Sequence, residues 1–186
     1  MPTLAPAPAI LTAAAIALLP SASASAAEMP VARCSIHQLR VHAEGSGIAA
    51  GSELSEFAFV NRGARACRLF GYPRLTMLGR AGRALKTSDR NAPPGFDGVR
   101  EGVVTLGAGA QAWFGVYYAD RTGYGTLTCP TATRLRFTPP QLKGTITLAG
   151  KGARITPYGG SVEHLQCGDV MLTPVSAKRL LPARSR

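Results

Sequence analysis

Acidic side chains are scarce in this sequence: 10 Asp and Glu stand against 21 Lys and Arg, which gives 186 residues a formal net charge of +11. This scarcity leaves little support for the paired carboxylates that most glycoside hydrolases use. Asp89, Asp97 and Glu101 come closest to such a group, and they fall within one loop, where solvation accounts for them. The sequence therefore does not favour carboxylate-based hydrolysis.

Histidines and nucleophile motifs are also few. The three histidines are His37, His42 and His164. The first two are five positions apart on a predicted strand, so they face opposite sides and are not expected to share a metal ion. There is no G-x-S-x-G elbow, the Ser161–His164 stretch lacks its flanking glycines, and no glycine-rich phosphate loop precedes a helix. We predict no catalytic residue, cofactor or metal ligand; a triad assembled from scattered positions remains the open alternative.

The four cysteines lack the C-x-x-C spacing of a zinc site, because the nearest two are 33 residues apart. An even number in an exported protein indicates disulfides, and four cysteines allow three pairings. We expect Cys34 to pair with Cys67. Cys34 starts the first strand-like segment and Cys67 follows the end of the second, and these positions are neighbours in an antiparallel pair. Elimination leaves Cys129 and Cys167 as the second disulfide.

The N-terminal region carries no charge before Glu28 and has a ten-residue apolar run at 10–19, followed by alternating Ser and Ala. This layout is typical of a secretory signal peptide cleaved near Ala26 or Ala27, although the usual N-terminal Lys or Arg is missing. A transmembrane helix is the alternative, but ten residues span only about half of a ~30 Å hydrocarbon core. We therefore predict an exported protein.

The export signal divides the chain into four parts. We expect a cleaved signal peptide at 1–27, a short linker at 28–33, a folded domain at 34–175 and a basic tail at 176–186. Removing 27 residues from 186 leaves 159, the length of one domain with a real hydrophobic core. Arg33 stands directly before the first cysteine, where a lipid-attachment site requires a small residue, so a secreted protein is favoured over a lipoprotein.

Alternation of apolar and polar residues dominates the rest of the chain, and Gly- and Pro-rich breakers separate the alternating segments. No window of 11 or more residues has the apolar spacing of an amphipathic helix. The pattern predicts an all-β sandwich of about seven to nine strands. The alternating apolar positions are Leu39, Val41, Phe57, Phe59, Ala112, Phe114, Val116, Tyr118, Leu135, Phe137, Ile146 and Leu148.

The string N-x-G-x-x-x-C-x-L-x-G-Y-P at 61–73 has a structural interpretation. Its asparagine and first glycine are expected to turn the chain, with that glycine free to take positive φ. Its cysteine and leucine share one strand face, and its second glycine permits close backbone approach. Its proline fixes φ and holds the preceding tyrosine extended. These structural residues are Asn61, Gly63, Cys67, Leu69, Gly71, Tyr72 and Pro73.

Together, the segment "CSIHQLRV" at 34–41 and the string at 61–73 resemble the domain of unknown function 4232 family of secreted actinobacterial proteins. The segments "GRAGRAL", "VTLGAGAQAWFGV", "CPTATRLRFTPP" and "CGDVMLTPV" continue the resemblance. The likeness covers nearly all of residues 34–175, and Ala108 departs from it, where the family usually has proline before glycine. The resemblance implies an immunoglobulin-like antiparallel β-sandwich with two disulfides, and it implies no activity.

Basic side chains concentrate between residues 62 and 90, where eight of them accompany one acid, Asp89. In an exported protein such a surface attracts polyanions, so wall polymers and anionic lipid headgroups are the expected partners. Nucleic acid is not expected, because no aromatic stacking platform is evident here. A GC-rich coding bias is the alternative explanation, since Arg outnumbers Lys 17 to 4. The candidate polyanion-binding residues are Arg62, Arg65, Arg68, Arg74, Arg80, Arg83, Lys86 and Arg90, to which the tail adds Lys178, Arg179, Arg184 and Arg186.

The loop at 88–101 is a second candidate site, because fourteen residues is long for a connection between strands and long loops often carry binding. It places Phe96 near Asp97, Arg90 and Arg100. The competing interpretation is a Pro- and Gly-rich hairpin that covers the sheet.

We interpret the protein as a secreted, non-enzymatic β-sandwich that acts as a binding or interaction module at or outside the cell envelope. Its partner is expected to be an unidentified protein or an anionic envelope polymer, without a cofactor. One alternative is a basic protein whose charge binds anionic polymers or lipids. The other is a secreted hydrolase with no recognisable motif.

Overall fold

A computed structural model describes residues 30–49, 52–119, 132–149 and 169–182. Within them the chain forms ten strands and two single-turn 3-10 helices, Ile36–Gln38 and Phe96–Gly98. The all-β prediction is confirmed, with one strand more than the upper expected number. The strands are β1 (Leu39–Ala49), β2 (Ser52–Asn61), β3 (Cys67–Phe70), β4 (Arg74–Leu78), β5 (Ser88–Asn91), β6 (Val103–Leu106), β7 (Gln111–Ala119), β8 (Arg134–Thr138), β9 (Ile146–Ala149) and β10 (Asp169–Leu172).

The strands form a five-stranded sheet in the order β1-β2-β7-β10-β5, a two-stranded sheet β3-β6 and a three-stranded sheet β4-β8-β9. The expectation of a purely antiparallel fold is wrong for one pair, because β5 and β10 run parallel. The reason is the path of the chain after β4: it leaves the three-stranded sheet and enters the five-stranded sheet at β5. A crossover of this kind permits parallel neighbours, which a hairpin does not.

One hydrophobic core collects side chains from all three sheets. Period-two alternation positions them as expected: Phe57 and Phe59 of β2 are fully buried, and so is Phe114 of β7. The ring of Phe137, on β8, lies 4.9 Å from that of Phe57 and 5.4 Å from that of Phe114. Aromatic contacts therefore join the five-stranded sheet to the three-stranded one, in the tilted and edge-on geometries that such rings prefer.

The central strand β2 is buried on both faces. Phe57 and Phe59 face the core, while Glu56 and Ala58, on the opposite face, are equally inaccessible. The segment after β10 first exchanges two backbone hydrogen bonds with Trp113 of β7 through Ser176, and then covers that second face, where Arg179 donates to the buried carboxylate of Glu56. The predicted basic tail at 176–186 is described through residue 182, and this part packs against the sheet.

The expected disulfide between Cys34 and Cys67 is present, with an S–S distance of 2.08 Å. The antiparallel pairing behind this expectation is present, because Leu39 at the start of β1 is opposite Asn61 at the end of β2, but both cysteines lie outside that pair of strands. Cys34 precedes β1 and lies beside β3 in a short parallel bridge, in which its N–H donates to the carbonyl of Arg68 at 3.1 Å. The second predicted disulfide, Cys129–Cys167, lies outside the described residues.

Asn61 turns the chain after β2, as expected: its Oδ1 accepts the N–H of Gly63 and its Nδ2 donates to the carbonyl of Arg65. Asn61 is fully buried, and its side-chain amide donates to the carbonyls of Leu106 and Gly107, which ties this turn to the one after β6. Gly63 is not among the glycines with positive φ; a Cβ there would lie 2.9 Å from Gln38 Nε2, so space requires the glycine. The positive φ belongs to Gly71, at 99°.

Candidate binding surface

The exposed face of the two-stranded sheet is apolar at one end. Phe70 of β3 and Val103 of β6 are directly opposite each other, and they are 38% and 59% exposed. With Val31, they are the large hydrophobic side chains that the described part of the chain leaves exposed. An exposed apolar cluster on a small protein is a common mark of an interaction site.

Two arginines lie on the same sheet, next to the disulfide. Arg33 precedes Cys34, Arg68 follows Cys67, and the two arginines are register partners in the parallel bridge. Like charges directly opposite each other destabilise a sheet. Within residues 30–49, 52–119, 132–149 and 169–182, neither guanidinium has a carboxylate within 4.0 Å to offset that repulsion. The bridge therefore holds two uncompensated positive charges side by side.

A cleft of about 280 Å³ opens between this face and the turn at 139–142. Arg33, Arg68, Phe70, Val103 and Leu142 are among its lining residues; we call it the Arg33–Arg68 cleft. Gln141, also in its wall, has φ of 57°, a left-handed conformation that costs a residue with a side chain of order 1 kcal/mol. Strained backbone of this kind is concentrated at functional sites.

Sequence reasoning missed this cleft, because Arg33 was considered only as the residue before a cysteine. A signal was nevertheless present. Each cysteine of the predicted Cys34–Cys67 pair has an arginine as its immediate neighbour, so the pairing itself brings Arg33 and Arg68 together.

The eight candidate polyanion-binding residues are all exposed, but they do not form one cluster. Arg62 and Arg65 lie in the turn after β2, and Arg68 lines the cleft. Arg74 is engaged elsewhere: its Nε and Nη2 donate to Asp89 at 2.6 and 2.8 Å. This hydrogen-bonded carboxylate raises the pKa of Arg74. The remaining four, Arg80, Arg83, Lys86 and Arg90, follow β4 along the chain.

A second basic surface lies on the three-stranded sheet. Arg80 and Arg83 occupy the turn after β4, which is closed by a hydrogen bond from Gly79 N–H to the carbonyl of Arg83 at 2.9 Å. A Cβ at Gly82 would lie 3.1 Å from Arg134 Nη2, so the guanidinium of β8 reaches this turn. Arg134 was not among the predicted residues, because its position on a strand gave no indication of its neighbours. We call Arg80, Arg83, Arg134 and Arg136 the basic sheet face.

The acidic residues of the 88–101 loop are not explained by solvation alone, contrary to expectation. Asp89 accepts hydrogen bonds from Arg74 and, at 3.0 Å, from the N–H of Leu75. Burial opposes ionisation of Asp89, but these donors and the positive charge of Arg74 outweigh it and lower the pKa of the carboxyl. Its first four residues form β5, so the loop is neither unstructured nor a hairpin.

The remainder of this loop packs on β7. Tyr117 donates a short hydrogen bond to Asp97, and its ring meets that of Phe96 edge-on, with centroids 4.9 Å apart. Burial first, and then the carboxylate of Asp97, raise the pKa of the Tyr117 phenol. Arg90 and Arg100 are exposed. Asp97 and Phe96 therefore both contact Tyr117 and hold the loop against β7, so Phe96 packs within the protein and does not form a ligand-binding surface.

The tail segment is held by a fully buried carboxylate that sequence reasoning also missed. Arg179 donates to Glu56 Oε2 at 2.7 Å, and the backbone N–H groups of Leu180 and Leu181 donate to Oε1 at 2.6 and 3.2 Å. Arg179 is therefore committed to an internal contact. The available signal was the second face of β2, where Glu56 interrupts an otherwise apolar row that includes Ala58.

The histidines lie apart from one another in the described part of the chain. His37 belongs to the 3-10 helix before β1, not to a strand as expected, and with Arg40 it borders an open hollow of about 520 Å³. His42 is exposed on β1, and His164 lies outside the described residues, as does Ser161. Across those described ranges no group of three or more His, Cys, Asp or Glu is placed to hold a metal ion.

Comparison with known proteins gave one positive result. A family model described as "Domain of unknown function (DUF4232)" matches residues 34–176, well over half of the chain. No curated protein and no solved structure matches significantly. The matched range contains β3, β6 and the turn at 139–142, which form most of the Arg33–Arg68 cleft.

Proposed function

The chain belongs to the DUF4232 family, and we propose that it is an exported, non-enzymatic binding module that works at or outside the cell envelope. We further propose that its three sheets form an immunoglobulin-like sandwich and that a second disulfide joins Cys129 to Cys167. Its binding site, in this proposal, is the Arg33–Arg68 cleft.

One observation carries the proposal: the cleft combines exposed apolar side chains with two guanidinium groups that form no ion pair with any carboxylate in the described part of the chain. Phe70 and Val103 offer hydrophobic area, and Arg33 and Arg68 offer directed hydrogen-bond donors. Small-molecule sites have this composition, mainly apolar with a few polar groups that set orientation.

The chemistry of the lining favours binding over catalysis. Among the residues that the structure describes, the lining consists of guanidinium, amide and hydrocarbon groups, with neither an imidazole nor a carboxylate. Arginine stays protonated at any physiological pH, so it does not act as a general base. The proposal of a non-enzymatic role rests on this composition.

Two features support export. The layout of residues 1–27 is that of a secretory signal peptide. The Cys34–Cys67 disulfide is typical of proteins in oxidising compartments. Separately, no helix in the described part of the chain is both long enough and apolar enough to span a bilayer.

Sedimentation of the purified chain 28–186 with isolated cell envelopes tests the proposal. We expect Arg33→Gln/Arg68→Gln to weaken binding at least tenfold, while the matched control Arg62→Gln/Arg65→Gln, of equal charge and exposure, changes it less than twofold. Equal losses in the two variants would assign binding to net charge. A hydrolytic activity abolished by a single Ser or His substitution would refute the non-enzymatic role.

A second candidate function is attraction of polyanions by the basic sheet face. The observation that favours it is the approach of Arg134 to the turn of Arg80 and Arg83. Binding to polyphosphate should then fall steeply between ~0.1 and ~0.5 M salt, where the Debye length shrinks to a few ångströms. It should also fall in Arg80→Gln/Arg83→Gln but not in Arg33→Gln/Arg68→Gln; salt-insensitive binding contradicts this function.

A further inference from the structure

We propose that the Arg33–Arg68 cleft binds a single aliphatic chain that ends in a carboxylate, a medium-chain fatty acid in chemical terms. This inference rests on the proposed binding function and names its ligand. Three properties of the cleft carry it: the paired guanidinium groups, the size and apolar character of the cavity, and the disulfide that holds its two charged segments.

The charged end of the ligand is set by the arginine pair. Arg33 and Arg68 are register partners, so an anion between them relieves their mutual repulsion and receives hydrogen bonds from both. Guanidinium groups match carboxylates in plane and spacing and form two-fold hydrogen bonds with them. A cationic or neutral headgroup would leave the repulsion in place.

The apolar end follows from Phe70, Val103 and Leu142, which line the same cavity as the arginines. The cavity volume of about 280 Å³ is at the lower limit of the ~300–1,000 Å³ that small-molecule sites occupy. A methylene group takes up about as much space as a liquid water molecule, ~30 Å³, so the cavity holds a chain of about nine or ten carbons. A volume of this order matches one such chain better than the two long chains of a phospholipid.

The disulfide makes the cleft rigid. It joins the residue after Arg33 to the residue before Arg68, and the Cys34–Arg68 and Arg68–Ala32 backbone hydrogen bonds, at 3.1 and 2.9 Å, complete the bridge. Like charges opposite each other weaken the pairing of strands that nothing else joins. The covalent link therefore keeps both guanidinium groups in place before the ligand arrives, which lowers the cost of binding.

Isothermal titration with decanoate, below its micelle-forming concentration, tests the inference on the oxidised chain 28–186. Between hexanoate and decanoate each added methylene should raise affinity about fourfold, as expected for ~0.8 kcal/mol per buried methylene. Decylamine, which has the same chain and the opposite charge, should not bind. Decanol should bind at least tenfold more weakly than decanoate.

Variants separate the two ends of the ligand. Arg33→Gln/Arg68→Gln should lose at least tenfold in decanoate affinity and remove the preference over decanol, whereas Arg62→Gln/Arg65→Gln should match the wild type. Val103→Ser should reduce the gain per methylene. Cys34→Ser/Cys67→Ser should weaken decanoate binding at least fivefold, while its circular dichroism spectrum stays that of a β-protein. Unchanged decanoate affinity in this folded variant would show that the disulfide does not contribute to binding.

The outcomes also separate this inference from the function on which it rests. Equal binding of decanoate, decanol and decylamine would refute the role of charge, and competition by inorganic phosphate as strong as that by decanoate would refute the role of the chain. If decanoate does not bind but Arg33→Gln/Arg68→Gln still loses envelope binding, the ligand class is wrong and the function stands. If neither is observed, both are wrong.

Discussion

Glu56 and Arg179, which are 123 positions apart, form an ion pair at 2.7 Å in which the carboxylate is fully buried and the guanidinium is 28% exposed. The same carboxylate accepts the backbone N–H groups of Leu180 and Leu181. Since a buried charge is tolerated only when it is paired and hydrogen-bonded, this contact fixes the course of the segment that covers the second face of β2.

Arg179→Ala should lower the free energy of unfolding by about 2–3 kcal/mol, because hydrogen bonds to charged groups contribute ~1.5–3 kcal/mol and the carboxylate would remain buried with only backbone donors. Urea denaturation measures the change. Lys178→Ala, at the adjacent exposed position, is the matched control and should stay within ~0.5 kcal/mol of the wild type. Similar losses in the two variants would contradict a specific role for Glu56. In the double variant with Glu56→Gln, the coupling energy should exceed ~1 kcal/mol.

Cys34→Ser/Cys67→Ser should cost about 3–4 kcal/mol of stability, the chain-entropy value for a loop of 30–40 residues. Denaturation in urea without reductant measures this change. Cys129→Ser/Cys167→Ser is the companion variant, and its loss should be of similar size if these residues form the predicted second disulfide. Peptide mapping without reduction should yield a linked Cys34–Cys67 peptide; a Cys34–Cys129 or Cys34–Cys167 peptide would refute the pairing.

Asp89→Asn should destabilise the protein by about 1 kcal/mol at neutral pH, the upper end of the range for ion pairs that solvent reaches, because the Arg74 side chain is 66% exposed while that of Asp89 is 9% exposed. The pKa of Asp89 is lowered in the folded state, so its stabilisation is fully present above the unfolded value of ~3.9 and disappears as the pH falls through the folded one. The difference between wild type and variant should therefore shrink below about pH 4. A pH-independent Asp89→Asn difference would contradict the ion pair.

Gly71→Ala should lower stability by about 1–2 kcal/mol, because the φ of 99° is strained for any residue with a side chain. A Cβ there would also lie 3.3 Å from Glu101 Oε1. Gly107→Ala is the control: φ is not positive there and nothing lies within 4 Å of the added carbon. Thermal unfolding of the two variants gives the comparison, and equal midpoints would show that the backbone at residue 71 relaxes without cost.

Local alternation predicted the core well, because successive side chains of a strand point to opposite faces of the sheet, one toward the core and the other toward solvent. Leu39, Val41 and Phe137 are buried where their spacing placed them. The polar sequence of β5 has no such alternation, since it pairs at a sheet edge with three of its four residues exposed. It pairs in parallel with β10, which lies 81 positions further along the chain: Ser88, for example, is opposite Asp169. No local pattern encodes such a contact.

The candidate site was less predictable for the same reason. The eight basic residues were identified from their density in the sequence, but density does not specify neighbours. Arg68 lies beside Arg33 only because a disulfide and a parallel bridge bring the two segments together. The charge of Arg74 is neutralised by its ion pair with Asp89. The structural motif was recognised correctly as a turn, while the roles of Gly63 and Gly71 were interchanged, because φ and local space are set by the tertiary fold.

The position of β10 has a consequence for the order of folding. Residues 169–172 are among the last in the chain, yet in the described structure they lie between β7 and β5, and β5 is hydrogen-bonded to the large sheet through β10. A chain synthesised from its N-terminus thus leaves open the edge of β7 that β10 occupies until residues 169–172 have emerged. Sheets built from such distant segments close slowly. Deletion of the four residues of β10 would therefore take a pairing partner from both β7 and β5, a larger loss than its length suggests.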